Sequence, residues 1–240
     1  MDILGSFLIV IAAALIHASF QLSVSMLTLL SGHAIGAKKS QSSLLRLTTS
    51  FILGASVMTI LLVSFVSYLL QQLLHGTTPL LVWAMSCGLL FGLGVAVWAF
   101  YYRRENGTTL WLPRGTAKYL SDRTKATKNS AEAFGLGLSS ITAELIFIVA
   151  PIIISSLTLT RLAPNLQLIG IGIYTAVSMI SLILVWALVG SGHSLSRIQK
   201  WRENNKRFLQ FAAGSGLIAL GFYVYVDQVI SVTVLAAGVK

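Results

Sequence analysis

Apolar runs of membrane-spanning length recur along this chain, and they limit what it can fold into. Residues 47–74 hold no charged side chain, and neither do 79–102 and 166–190; the run at 133–160 holds only Glu144. About twenty such residues cross the hydrocarbon layer as a helix. A backbone placed there must satisfy its own polar groups, which a helix does within one segment. Hydrophobic residues make up 55% of the 240 and charged residues 10%, against about 25% charged in soluble domains. The sequence predicts an all-α integral membrane protein, one membrane domain over 1–240.

Six spans are expected, at about 5–31, 46–74, 79–102, 131–159, 166–190 and 208–235. The HGTT and TRLAPN connections, 75–78 and 160–165, are short enough for antiparallel hairpins. Basic residues fix the orientation. Lys38, Lys39 and Arg46 follow the first span; seven, from Arg103 to Lys128, follow the third; Arg197, Lys200, Arg202, Lys206 and Arg207 follow the fifth. Only Arg161 and Lys240 of the 17 fall on the other side. Basic loops stay in the cytoplasm, so both termini are expected outside. The expected setting is the cytoplasmic membrane of a bacterium. The opening MDILGSFLIV has no basic region before its apolar run, so it reads as the first span itself and not a cleaved signal.

This topology divides the chain into a first half, 1–102, a basic cytoplasmic loop, 103–130, and a second half, 131–240. The halves run in opposite directions through the membrane, the plan of a 3+3 inverted repeat in which span 1 corresponds to span 4. The net charge of +10 sits in loops between spans. Its expected partner is therefore the anionic headgroups of the bilayer and not nucleic acid. In the long loop, Trp111, Leu112 and Tyr119 of WLPRGTAKYL suit the headgroup level. Asn106-Gly-Thr108 matches a glycosylation acceptor that would be inert on the cytoplasmic side.

The polar residues inside the spans carry the functional reading. Glu144 lies near the middle of span 4, in SSITAELIFIVAPIIISS, where a carboxylate costs about 2.5–3.5 kcal/mol on insertion scales. It must face the bundle interior or a wet cavity. Gly137, Ser140, Glu144, Pro151 and Ser155 fall on one helical stripe. Pro151 removes the donor that would meet the Phe147 carbonyl, so a carboxylate and a loosened carbonyl lie one turn apart, as at discontinuous helices of transporters. Alternatively, Pro151 only shapes packing. In span 1, Ala13, His17, Gln21, Ser25, Thr28 and Gly32 form a matching face. His17 suits a proton shuttle, or a hydrogen bond between helices. Asp227 is expected to reach water near the outer end of span 6. Gly88-x-x-x-Gly92 of span 3 and Gly214, Gly216 and Gly221 of span 6 are expected to let helices approach closely. Trp83, Trp98, Tyr101, Tyr102 and Trp201 are expected near the interfaces.

Enzymatic chemistry finds little support. Ser139 and Ser140 are ordinary membrane packing residues, and His17 is the only deep histidine. No H-E-x-x-H exists, the histidines are scattered, and Cys87 is the only cysteine, which excludes an internal disulfide or a dithiol redox cycle. Neither a cofactor nor a bound metal is expected.

Six spans, external termini, a long basic loop between spans 3 and 4, and AFGLGLSSITAELIFIVAP, a Gly/Ser-rich helix start leading to a proline, resemble the LysE-type exporter superfamily. That group is similar in layout to the membrane domains of cytochrome c biogenesis and DsbD-type thiol transporters. The thiol branch carries a cysteine in each helix corresponding to spans 1 and 4; this chain has none there. The resemblance implies export of a small cationic or zwitterionic solute.

The expected function is a proton-coupled secondary exporter of a small cation or amino-acid-like solute. Its site lies between spans 1 and 4, at His17, Gln21, Ser140, Glu144, Phe147 and Pro151. The alternative is a non-catalytic membrane scaffold or subunit of a larger complex, in which Glu144 pairs with a basic residue of a partner. A homo-oligomer is compatible with either.

Overall fold

The structure, a computed structural model, describes residues 3–21, 41–75, 77–100, 129–191, 195–231 and 233–234. Every regular element among them is helical. The helices are α1 (Ile3–Gln21), α2 (Gln41–Leu74), α3 (Leu80–Phe100), α4 (Ser130–Leu159), α5 (Pro164–Ser178), α6 (Ile180–Gly190), α7 (Leu195–Asn204) and α8 (Lys206–Tyr225), which runs on into a π-helical turn, Val226–Ile230. Five are long and apolar enough to cross a membrane, and six spans result if α5 and α6 count as one. The predicted end of span 1, with Ser25, Thr28 and Gly32, and nearly all of the 103–130 loop lie outside the described residues.

Helix boundaries follow local chemistry. Asn129 caps α4 by accepting the Glu132 amide at 2.9 Å, and Glu132 sits in the first turn, where the helix dipole favours a carboxylate. Pro164 opens α5 at the position where a missing amide hydrogen costs nothing. Span 5 departs from the single helix expected over 166–190. It breaks at Met179, and α5 and α6 meet at 46°. No proline or glycine causes the bend. Thr175, Ser178 and Ser181 place hydroxyls three residues apart, and Ser178 Oγ donates to the Thr175 carbonyl at 2.9 Å. That carbonyl also accepts the Met179 amide at 3.1 Å. Hydroxyls that compete for the ladder in this way bend helices. Span 6, expected at 208–235, begins at Lys206 and changes pitch at Val226. Helix α7 occupies what the sequence reading leaves as a basic connector.

The helices pack around α1 and α4. Helix α1 touches α4, α5, α6 and α8; α2 touches α4, α5 and α6; α3 touches α4 and α8; α5 also touches α4. The closest pair is α2·α4. A Cβ on Gly54 would fall 2.1 Å from the Phe134 carbonyl oxygen, and one on Gly137 would fall 2.1 Å from that of Phe51. These backbones touch, as small residues permit in membranes. At α3·α8, Gly94 and Gly214 lie against each other, and Trp98 stacks on Phe211. The expectation for Gly88 and Gly92 is corrected. Both face outward, and a Cβ on either would meet nothing within 4 Å; Gly94, on the opposite face, makes the contact.

Candidate functional site

Glu144 is completely buried and faces α1, not lipid. Its Oε2 lies 3.8 Å from Nε2 of His17, which is also completely buried. That distance suits an ion pair and is too long for a direct hydrogen bond. The two residues that stand out in spans 1 and 4 are therefore neighbours. The stripe read from α4 points inward throughout: Gly137, Ser140, Glu144, Pro151 and Ser155 are all buried. The Ser140 hydroxyl turns back to the Gly137 carbonyl at 2.9 Å. Ser155 Oγ has no hydrogen-bond partner among the described residues.

Helix α1 supplies the other wall. Gln21, one turn after His17, places its Nε2 3.4 Å from His17 Nε2 and donates to the Met179 sulfur at 3.8 Å. Its Oε1 is buried with no hydrogen-bond partner among the described residues. Phe147 stacks on Phe20, with ring centroids 5.5 Å apart and planes 13° from parallel, and so closes one side of the polar cluster.

Span 5 contributes two residues that the sequence reading misses. The Tyr174 hydroxyl lies 3.1 Å from His17 Nδ1, and Met179 sits against Gln21 at the bend. Ser181, just past the bend, donates to the Ala18 carbonyl at 2.7 Å, which fastens α6 to α1 beside the site. The triad of hydroxyls Thr175, Ser178 and Ser181 is the signal that marks a break there. With Tyr174 donating to Nδ1, His17 carries its proton on Nε2, toward Glu144, and makes no hydrogen bond to the Gln21 amide nitrogen, which is itself a donor. In the other tautomer, Nδ1 donates to Tyr174 and Nε2 presents a lone pair. The cluster can hold a proton in either arrangement.

The site is closed in this structure. His17, Gln21, Ser140, Glu144 and Ser155 have no exposed surface. An apolar groove of about 490 Å³ opens between α1 and α8, lined by Leu8, Ala12, Leu15, Gly216, Ala219 and Tyr223 among others, and contains none of the polar cluster. No group of three His, Cys, Asp or Glu side chains suited to a metal occurs among the described residues.

A second polar cluster lies at the far end of the bundle. Arg161, in the α4–α5 turn, donates to Gln228 of the π-turn, and Gln228 donates to Asp227 at 2.5 Å. The Arg161 guanidinium also lies 5.6 Å from the ring centre of Trp83, which is buried. Asp227 is half-buried.

Comparison with protein-family models, curated proteins and solved structures returns no match.

Proposed function

We propose that this chain is a proton-coupled secondary exporter of a small cation or amino-acid-like solute, with its site at mid-membrane between α1 and α4. One observation carries the reading: a carboxylate and an imidazole from separate spans, both removed from water and lipid, face each other at 3.8 Å. Ionisable groups at that depth are costly and belong chiefly to ion and proton pathways. Tyr174 orients the imidazole, and Gln21 brings an amide to it. Protonation of Glu144 alternates with solute binding, and His17 passes the proton. The scaffold reading is weaker, because it needs Glu144 to meet a partner's basic residue, and Glu144 is turned into its own bundle.

We also propose that the halves form an inverted repeat, with both termini external. Three observations support the repeat. Exchanging spans 1 with 4, 2 with 5, and 3 with 6 turns the set of packed span pairs into itself. The exception is span 4 with span 5, which a short turn joins. Second, Phe147 follows Glu144 by the same three positions that separate Phe20 from His17, and each residue meets its counterpart. A two-fold axis between α1 and α4 would generate such self-contacts. In this register eight of the ten buried residues of α1 fall on buried residues of α4, from Ser6 on Ala133 to Gln21 on Ile148. Third, Phe7 falls on Phe134, and each lies near a glycine of the other half: the Phe134 carbonyl oxygen 2.1 Å from a Cβ on Gly54, and the Phe7 ring 3.6 Å from a Cβ on Gly170, which Leu159 approaches more closely.

The test is flux across a pH gradient in proteoliposomes. Glu144→Gln should abolish gradient-driven export of a cationic or zwitterionic solute that the unaltered chain moves. Unchanged flux in that variant would overturn the reading.

A further inference from the structure

Helix α7 is the one short, strongly two-faced helix among the described elements. Ile198 and Arg202 are buried beneath it, while Arg197, Lys200 and Trp201 are exposed. The junction to α8 is a single residue, Asn205. The Asn205 amide reaches the Trp201 carbonyl at 3.1 Å, and the Leu209 amide reaches the Asn205 carbonyl at 3.0 Å. These bonds tie the junction residue to the helix on either side, and Arg207, Phe208 and Phe211 extend the outward-facing chemistry onto α8. Phe208 and Phe211 are 66% and 62% exposed and Trp201 52%, and Phe211 carries the Trp98 indole of α3 against it.

Basic and aromatic groups side by side at a helix end, next to membrane-spanning helices, match one kind of molecule. A phosphodiester answers Arg197, Lys200 and Arg207, and the glycerol and upper acyl segments answer Trp201, Phe208 and Phe211. Tryptophan favours that boundary, and a basic amphipathic helix lies in its plane. We propose that the exposed face of α7 and the first turns of α8 bind an anionic phospholipid. The binding holds α7 in the headgroup layer at the root of span 6. This rests on the proposed membrane placement and orientation and not on transport, since no residue of the His17–Glu144 site takes part.

The experiment uses the full chain in phosphatidylcholine vesicles containing a minority of either brominated phosphatidylglycerol or brominated phosphatidylcholine. Bromine quenches nearby indoles, and the difference between the unaltered chain and Trp201→Phe isolates the Trp201 signal. Brominated phosphatidylglycerol should quench that signal more strongly, with the preference shrinking as salt rises. Replacing Arg197, Lys200 and Arg207 by glutamine should remove the preference, by roughly fivefold in relative affinity for each residue. The quenching of the remaining tryptophans serves as the check on folding and insertion. Equal quenching by both lipids, or a preference that survives the glutamine replacements, would overturn the proposal. So would protection of Trp201 from both bromines, which would place a protein on this face.

Discussion

Tyr174 offers the cleanest test at the level of a single side chain, because its hydroxyl meets His17 and its ring is fully enclosed. Tyr174→Phe keeps the ring and leaves His17 Nδ1 buried with one partner fewer. An unsatisfied buried polar group costs about 1–3 kcal/mol. The thermal midpoint in detergent should therefore fall, while Tyr68→Phe, at an exposed tyrosine, should leave it unchanged. Proton-coupled flux should fall as well, because the ring of His17 loses its orientation. An equal effect of both substitutions would remove Tyr174 from the site. Much of this site is legible in the sequence, and the reason is contrast. His17, Gln21 and Glu144 stand out because nothing near them in the chain is charged, and helical spacing then sets each on an inward stripe. Tyr174 and Met179 do not stand out. A tyrosine in an apolar run suits an interface belt equally well, and a methionine is indistinguishable from packing. Which span completes the site is decided by tertiary contact, and periodicity along one helix does not carry that information.

Among the elements, the α2·α4 contact makes a sharp prediction. Gly54→Ala drives a Cβ into the Phe134 carbonyl, so the helices must separate, at a cost of about 1–3 kcal/mol for overpacking. Gly88→Ala faces open space and should stay within about 0.5 kcal/mol. Thermal unfolding of both variants in one detergent checks the contrast. The glycines themselves are visible in the sequence. Which of them carry contacts is not, because Gly88 and Gly94 lie on different faces of α3 and the spacing motif around Gly88 points to the wrong one. The long apolar helices are readable because their runs are long; α2, α3 and α4 lie close to the expected bounds, and the expected end of span 1 lies outside the described residues. The bend at Met179 is hidden because no proline or glycine announces it, and only the spacing of three hydroxyls does so. Helix α7 is hidden because ten residues with several charges read as a loop unless a neighbouring surface covers one face.

At the scale of the whole molecule, the distribution of basic residues predicts that a reporter fused after Lys240 is active outside the cytoplasm. One inserted between residues 103 and 128 should be active inside. Protease accessibility in right-side-out and inside-out vesicles checks both, and a shared side for the two sites would overturn the topology. The interlocking of the two halves has a consequence for biosynthesis. The tightest partner of α2 is α4, which the ribosome delivers only after the intervening loop has been made. The first three spans therefore wait in the bilayer with the carbonyl of Phe51 and the small face around Gly54 uncovered. A chain stopped before residue 130 would be an orphan, open to quality-control proteolysis. Supplied separately in the same cell, the missing half should rescue it.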